Sequence, residues 1–374
     1  MPPASAPVPL FSAEAAAFGL DLPAIAREVI DSQRYVLGPR VQDFEQAFTR
    51  HVGVGHCVSV ANGTDALELA LRALGMGTGH RVVTVANAGF YASTAIGLVG
   101  ATPVYVDVDA DRLTMCPAAL QTLLAGQKVD AVIVTHLYGQ MADMAALVPM
   151  CERAGVPLIE DCAQSHGALL EGRRAGAFGL MGCFSFYPTK NLGALGDGGA
   201  VVAGDAELAH RLRSLRQYGW HRKYEVTVRG GRNSRLDELQ AAVLHAKLPR
   251  LDTANADRRR IAARYNQAFA DLPIRLPVST GPDFVAHLYV VRSDRRDALR
   301  AHLGAAGVAC DVHYPVPDHL QPVWADSLKV RLAVTEEACR QVLSLPCFPG
   351  LTDAQVERVI GAVRQFHEGA TCPS

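Results

Sequence analysis

Three short stretches of this 374-residue chain carry side chains that could do chemistry. In CFSFYPTKNLGALGDGGAVV, residues 183–202, an apolar run ends at Ser185 and leads to Lys190, after which Gly193, Gly196, Gly198 and Gly199 follow. Glycines there let the backbone turn tightly and approach a ligand closely. A lysine flanked by apolar and glycine residues sheds its proton more readily than a solvated one, and its neutral amine can attack a carbonyl to form an imine. A surface lysine on a glycine-rich hairpin would read the same in isolation. In VPLIEDCAQSHGA, residues 156–168, Asp161 follows an apolar strand and Gln164 stands three residues on. Such a carboxylate either caps the next element or binds a ligand, and if buried it needs a charged partner. In VSVANGTDALELALRAL, residues 58–74, a strand runs through Asn62-Gly63-Thr64-Asp65 into an amphipathic helix. The free N–H groups of a helix start bind phosphate, and the Thr64 hydroxyl adds a donor. Asp65 would repel a phosphate and must turn away to serve the helix terminus. Ordinary capping by Asn62 accounts for the same residues.

Pyridoxal 5′-phosphate (PLP) would use all three stretches at once: a lysine for an imine, an acid for its protonated ring nitrogen, and a cup for its phosphate. With NSRLDELQAAVL, HYPVPDHLQP and LSLPCFPGLT following in order, the sequence from about residue 30 to about residue 360 resembles the DegT/StrS-type nucleotide-sugar aminotransferases, PLP enzymes of fold type I. The resemblance implies that Lys190 is the Schiff-base lysine, Asp161 the partner of the pyridinium nitrogen and Gln164 the partner of the ring hydroxyl. It implies phosphate contacts from Gly63, Thr64 and Ser185, and from Asn233 a contact to the phosphate of the neighbouring subunit's cofactor. Each active site would then need both chains of a homodimer. NSRLDELQAAVL also reads as a simply capped helix. Where the family often has T-F-x-A-T, whose aromatic stacks on the pyridine, this chain has Asn87-Ala-Gly-Phe-Tyr-Ala-Ser-Thr94, and aligning Thr94 makes Tyr91 the stacking residue, with Phe90 the alternative. His313, Tyr314 and His319 fall in a loop that the resemblance places on the substrate side of the cleft. Their spacing, interrupted by prolines, does not suit a zinc site. Tyr218 is carried as a further substrate contact, while His221, Arg222 and Lys223 read as a solvated charge run.

The elements that must position these residues follow from the hydrophobic pattern. Strands are predicted over 57–60, 81–86, 103–108, 131–135, 156–160, 183–186 and 200–203, several nearly continuous in Val and Ile as strands buried on both faces should be. Helices alternate with them, as over 64–74, 144–154 and 206–216. This predicts an α/β domain over residues 1–250 with a mainly parallel sheet, whose ligands gather at the carboxyl ends of the strands. Past Leu251 the rhythm changes to a long charged helix over 253–272, a strand over 287–292, a helix over 296–306 and a strand over 308–313, which predicts a smaller α+β domain over 251–374. The first 50 residues read as helical and able to pack on either body. Hydrophobic residues make up 49% and charged residues 20%, so a packed core rather than disorder is expected. Thirty-six basic against 37 acidic residues give a net charge of −1, which offers no general pull toward nucleic acid or an anionic membrane. Nine cysteines, an odd number with no C-x-x-C pair, argue against an all-paired disulfide framework. No signal peptide is read in the first ten residues, and a cytoplasmic setting is expected.

The resemblance thus implies a PLP-dependent aminotransferase that moves an amino group from glutamate to a nucleotide-linked keto-deoxysugar, dTDP-linked and possibly aminated at carbon 3, with no metal. Two other classes compete. A sugar dehydratase of the same fold would have histidine in place of the lysine and an iron–sulfur centre, whereas Lys190 is present. A regulatory relative would bind PLP without catalysis.

Overall fold

The computed structural model describes residues 6–324 and 330–369, so residues 1–5 of the first expected domain and 325–329 and 370–374 of the second lie outside the described residues. Seven strands form the central sheet: β1 (His56–Val60), β2 (Arg81–Val85), β3 (Thr102–Val106), β4 (Ala131–Thr135), β5 (Leu158–Asp161), β6 (Met181–Ser185) and β7 (Gly199–Ala203). Each lies within two residues of its sequence-predicted span. The order across the sheet is β1-β7-β6-β5-β4-β2-β3. Strands β3, β2, β4, β5 and β6 pair in parallel, and β7 runs antiparallel to both β6 and β1. Successive residues of one strand serve opposite cores. Val132 and Val134 join a cluster containing Phe44, Phe48 and Phe186, while Ile133 joins one containing Leu69, Leu71 and Ile96. This is the alternation that a sheet covered on both faces requires.

The reversal at β7 matters for the site. Parallel neighbours need a long crossover, whereas antiparallel neighbours join by a direct loop. The loop from β6 to β7 therefore stays at the carboxyl ends of the parallel strands, and Lys190 lies on it.

The second body gathers around the helix Leu251–Phe269, with Tyr265, Phe269, Leu299, Leu303 and Val359 in its core. Its sheet has two strands, β8 (Tyr289–Arg292) and β9 (Val342–Leu345), in antiparallel register. The strand expected over 308–313 is replaced by single bridges, Val308 to Val8 and Asp311 to Ser344. The physical reason is competition for one edge. Val342–Leu345 is buried at every position and pairs with β8 along its whole length. The 308–313 segment carries half-exposed Cys310 and exposed Asp311 and runs into Pro315 and Pro317. The N-terminal segment divides between the two bodies. Val8 sits in the small-domain core, while Phe44 and Phe48, on the helix Pro39–Val52, pack their rings edge-on against Phe186 and Phe184. Among the described residues no helix is long and apolar enough to cross a membrane.

Candidate active site

Three adjacent strands, β4, β5 and β6, end in Thr135, Asp161 and Ser185. Thr135 is paired directly with Asp161, and Asp161 with Cys183, so their ends form one continuous shelf. The shelf is one wall of a cleft of about 670 Å³ that Lys190, Gly63 and Thr64 also line.

Asp161 is 6% exposed. Its carboxylate accepts from Thr135 Oγ1 at 3.3 Å and from the Ala163 N–H at 3.1 Å. Burial pushes its pKa up, against the Ala163 N–H, Lys190, His136 and the Thr135 hydroxyl, which pull it down. Among the described residues it forms no ion pair, so a buried acid faces the cleft wanting a cation. Lys190 shows the opposite shift. Burial lowers its pKa from 10.5 to about 8, with Asp161 opposing. An amine in that range is partly neutral at physiological pH and can act as nucleophile or base.

The helix Gly63–Ala73 begins where Asn62 leaves off as its cap, the Asn62 side chain accepting from the Asp65 N–H at 2.8 Å. Capping and ligand binding are compatible here, because the cap uses one of the free N–H groups and leaves others. Gly63 is required sterically: a β-carbon there would lie 2.6 Å from Ser185 Cβ. The helix start is therefore pressed against Ser185, and the Thr64 and Ser185 side chains line the same cleft. Such a start favours an anion through its N–H groups and its dipole, an effect of about 0.3–1 kcal/mol at exposed sites.

The opposite wall comes from the small domain and the loop after residue 312. Tyr314 receives a hydrogen bond at its hydroxyl from Gln164 Nε2 at 3.1 Å, while Gln164 Oε1 accepts from the Tyr138 N–H at 2.6 Å. The Gln164 amide is thus fixed in orientation and keeps a second N–H on Nε2. Tyr91 lines the cleft, its ring edge-on to Tyr314 with centroids 6.1 Å apart, whereas Phe90 is not among the lining residues. His313 also lines the cleft, with Nδ1 2.9 Å from Ser344 Oγ, and burial holds its imidazole below the usual range.

Three expected site residues stand outside the cleft of their own chain. Asn233 is exposed and bridges to Gln217. Tyr218 is exposed beside Trp220, with the Arg235 guanidinium 6.0 Å from its ring. His319 is buried against Tyr105, and its Nε2 lies 3.3 Å from Glu336 Oε1. The loop turns it away from the cleft of its own chain and toward the helix Ala333–Gln341. In the charged run, Arg222 pairs with Glu225 across a short hairpin.

Sequence reasoning missed His287, Arg258 and Asn191. Asn191, next to the lysine, donates to Asn255 Oδ1 at 2.8 Å and to the Val285 carbonyl at 3.0 Å, and its Oδ1 is 3.1 Å from His287 Nδ1. This buried network ties the Lys190 loop to the helix Leu251–Phe269. The signal was available, since Asn255 and Arg258 fall on the apolar stripe of that helix with Leu251, Ala254, Ile261 and Tyr265. A buried cluster of His136, Glu160 and Cys162 has metal-like composition. Glu160 already accepts from three backbone N–H groups, those of Gly176, Phe178 and Gly179, and from His136, so its oxygens are occupied within the fold.

The arrangement meets the demands of PLP. A buried acid has no ion-pair partner among the described residues, a glycine-packed helix start flanked by hydroxyls faces the cleft, and a desolvated lysine stands on the same wall. Comparison with known proteins agrees. A sequence profile of the DegT/DnrJ/EryC1/StrS aminotransferase family matches residues 21–364. The chain is 48% identical over 350 residues (92% of this chain, 91% of the relative) to the dTDP-3-amino-3,4,6-trideoxy-alpha-D-glucose transaminase of Streptomyces venezuelae. It is 43% identical over 364 residues (96% and 99%) to the erythromycin biosynthesis sensory transduction protein EryC1 of Saccharopolyspora erythraea. The crystal structure of S. venezuelae DesV with a ketimine intermediate superposes with a TM-score of 0.93 at 45% identity, covering 99% of this chain and 100% of that one.

Proposed function

From the premise that this chain belongs to the DegT/DnrJ/EryC1/StrS aminotransferase family, PLP-dependent enzymes of fold type I, we propose that it transfers an amino group from glutamate to a dTDP-linked keto-deoxysugar at carbon 3. The observation that carries this reading is the buried, cation-poor Asp161 on the same wall as desolvated Lys190 and the Gly63–Ser185 cup. The sugar, its nucleotide and the ring position are supported by the name of the 48%-identical transaminase.

PLP, when bound, supplies an electrophilic carbonyl and an electron-accepting ring. The chain's residues do the rest. Lys190 would anchor the cofactor, and its amine would move a proton to and from the donor's α-carbon. Asp161 keeps the ring nitrogen protonated, and Gln164 donates to the ring hydroxyl. Gly63, Thr64 and Ser185 hold the phosphate, and Tyr91 packs against the ring. His313 and Tyr314 close the sugar side against water. In this reading the protein is a cytoplasmic homodimer, and Asn233 and Tyr218, outside their own cleft, serve the partner's.

The test is direct. Glutamate added to the PLP-loaded protein should replace the absorption of the lysine-bound cofactor with that of its amine form, and a dTDP-linked 3-keto-4,6-dideoxyglucose should restore it with formation of an amino sugar. The name of the sensory transduction relative favours a second reading, PLP binding without turnover. A spectrum indifferent to glutamate would select it.

A further inference from the structure

A separate cavity of about 30 Å³ lies where the two domains meet, and of the residues lining it only Leu288 also lines the cofactor cleft. Arg112 and Tyr138 reach it from the large domain, Arg275 and Arg292 from the small one. The backbone holds the last two side by side. Each N–H donates to the other's carbonyl at 2.9 Å, an antiparallel bridge that sends both side chains off the same face. Like charges placed directly opposite in this way are destabilising. Arg292, the last residue of β8, is 7% exposed, yet among the described residues its guanidinium forms no ion pair and no hydrogen bond. Burial and then the Arg275 charge lower its pKa, while Asp111, Glu337 and Tyr138 oppose without pairing with it. Arg275 likewise has no acidic partner among the described residues, whereas Arg112 pairs with Asp283 at 3.6 Å. Three arginines thus line the cavity against one acid, Asp111, together with Leu276, Phe284 and Val290. A buried guanidinium beside a second cation is disfavoured until an anion joins them.

We propose that this cavity is a second ligand site, which takes the carboxylate of a small organic acid between Arg275 and Arg292 and its short aliphatic body against Leu276, Phe284 and Val290. Size sets the class. One water needs roughly 10–15 Å³ of such space, so about 30 Å³ admits a short-chain carboxylate and neither a nucleotide nor a sugar. The planar guanidinium fork matches the two oxygens of a carboxylate. The apolar lining would leave oxygens of a phosphate without hydrogen bonds, which is costly. Asp111 is exposed, so solvent and salt screen its repulsion of the ligand. The cavity adjoins the cofactor cleft but draws on none of its charged groups. The dividing wall is Tyr138, whose N–H donates to Gln164 Oε1 at 2.6 Å and whose hydroxyl donates to the His313 carbonyl.

The probe is propionate, titrated into the PLP-loaded protein by saturation-transfer NMR at constant ionic strength, with sodium chloride as the balancing salt. The cofactor's absorption, read in parallel, reports any propionate that enters the cleft instead. Wild type should bind propionate saturably with that absorption unchanged. Arg275→Gln, a substitution on the exposed rim, should weaken binding about 10- to 100-fold, the scale of a lost charge-assisted pair. Arg292→Met should abolish it, and without propionate that variant should melt no lower than wild type, because the buried charge it removes had no partner. Should Arg292→Met fail to fold, Arg275→Gln still decides. No saturable binding by wild type, binding undiminished in Arg275→Gln, or binding that appears only with a change in the cofactor's absorption overturns the site. Inorganic phosphate bound more tightly than propionate, with the same dependence on the two arginines, overturns the assignment to carboxylates.

Discussion

The two walls of the cleft are built from different chemistry and left with opposite electrostatic needs. The large-domain wall ends three parallel strands and holds a buried acid, Asp161, whose carboxyl is pushed up by desolvation. The small-domain wall is hung from one long helix and holds a buried cation, Arg258, with which no acid among the described residues forms an ion pair. The first wall thus carries a buried acid and the second a buried cation, each without an ion-pair partner among the described residues. On the large-domain wall beside Asp161 stands Lys190, whose pKa burial lowers to about 8. The comparison teaches that an unmet charge in a packed interior is a description of the missing partner, since either charge left alone would be disfavoured by several kcal/mol.

The largest effect expected breaks the large-domain wall. Lys190→Ala homodimers should lose at least about a thousandfold in turnover, the scale of a missing acid–base group or more. Homodimers with Asn233 replaced by a bulky residue should also be inactive, through the neighbour's phosphate cup. Mixing the two variants and allowing subunit exchange should restore activity toward about half of wild type per mixed dimer, by counting sites under two-fold symmetry. Absence of recovery in demonstrated heterodimers would remove Asn233 from the partner's site. Next, Asp161→Asn keeps the shape and deletes the charge. Turnover should fall about 100-fold, on the scale of a lost catalytic group, while PLP content falls less. The cofactor-free variant should melt no lower than wild type, because the buried charge it lacks was unpaired.

A smaller effect reads the amine of the large-domain wall. Lys190 must be neutral to react, and its pKa is about 8, so the rate of PLP uptake by cofactor-free protein should rise about tenfold from pH 7 to pH 9 and then level. A lysine of ordinary pKa would show no such levelling below about pH 10. Stopped-flow absorbance distinguishes the two. The smallest effect concerns the seam. Asp318, buried in the loop after Tyr314, accepts from the Phe90 N–H at 2.9 Å and from Ser93 Oγ at 2.6 Å, pinning that loop to the helix that begins at Tyr91. Asp318→Ala removes this shared acceptor, although Ser93 Oγ keeps the Tyr105 hydroxyl at 2.9 Å, and should lower unfolding stability by about 1–3 kcal/mol, with Asp318→Asn milder. Denaturant titration measures both.

The two walls also differ in how far the sequence disclosed them. The strands ending in Thr135, Asp161 and Ser185 are short apolar runs with period and composition of their own, and a ligand at their carboxyl ends follows from the topology alone. The direction of β7 was less accessible, because a glycine-rich connection does not by itself say whether the next strand returns beside the last. The small-domain wall depends on contacts remote in sequence. Arg258 sits inside the run Arg258-Arg259-Arg260, which reads as a solvated face, and only its place on the stripe with Leu251, Asn255, Ile261 and Tyr265 marks it as buried. The segment 308–313 shows the same limit, since its composition permits a strand and the superior pairing of Val342–Leu345 denies it. His319 was drawn toward the site by its loop, while its side chain turns to Tyr105 and Glu336.

The account's central claim is that Lys190 is the group that holds the cofactor, and the chain contains its own control. Lys247 is also desolvated, to a pKa of about 8, yet it donates to the Gly193 carbonyl at 2.7 Å and is not among the residues lining the cleft. A lowered pKa alone would make the two equivalent, and position separates them. PLP-loaded protein reduced with borohydride and mapped by peptide mass spectrometry should carry the cofactor's mass on Lys190 and leave Lys247 unmodified. The reduced cofactor found on Lys247, or spread over both, would contradict the site described.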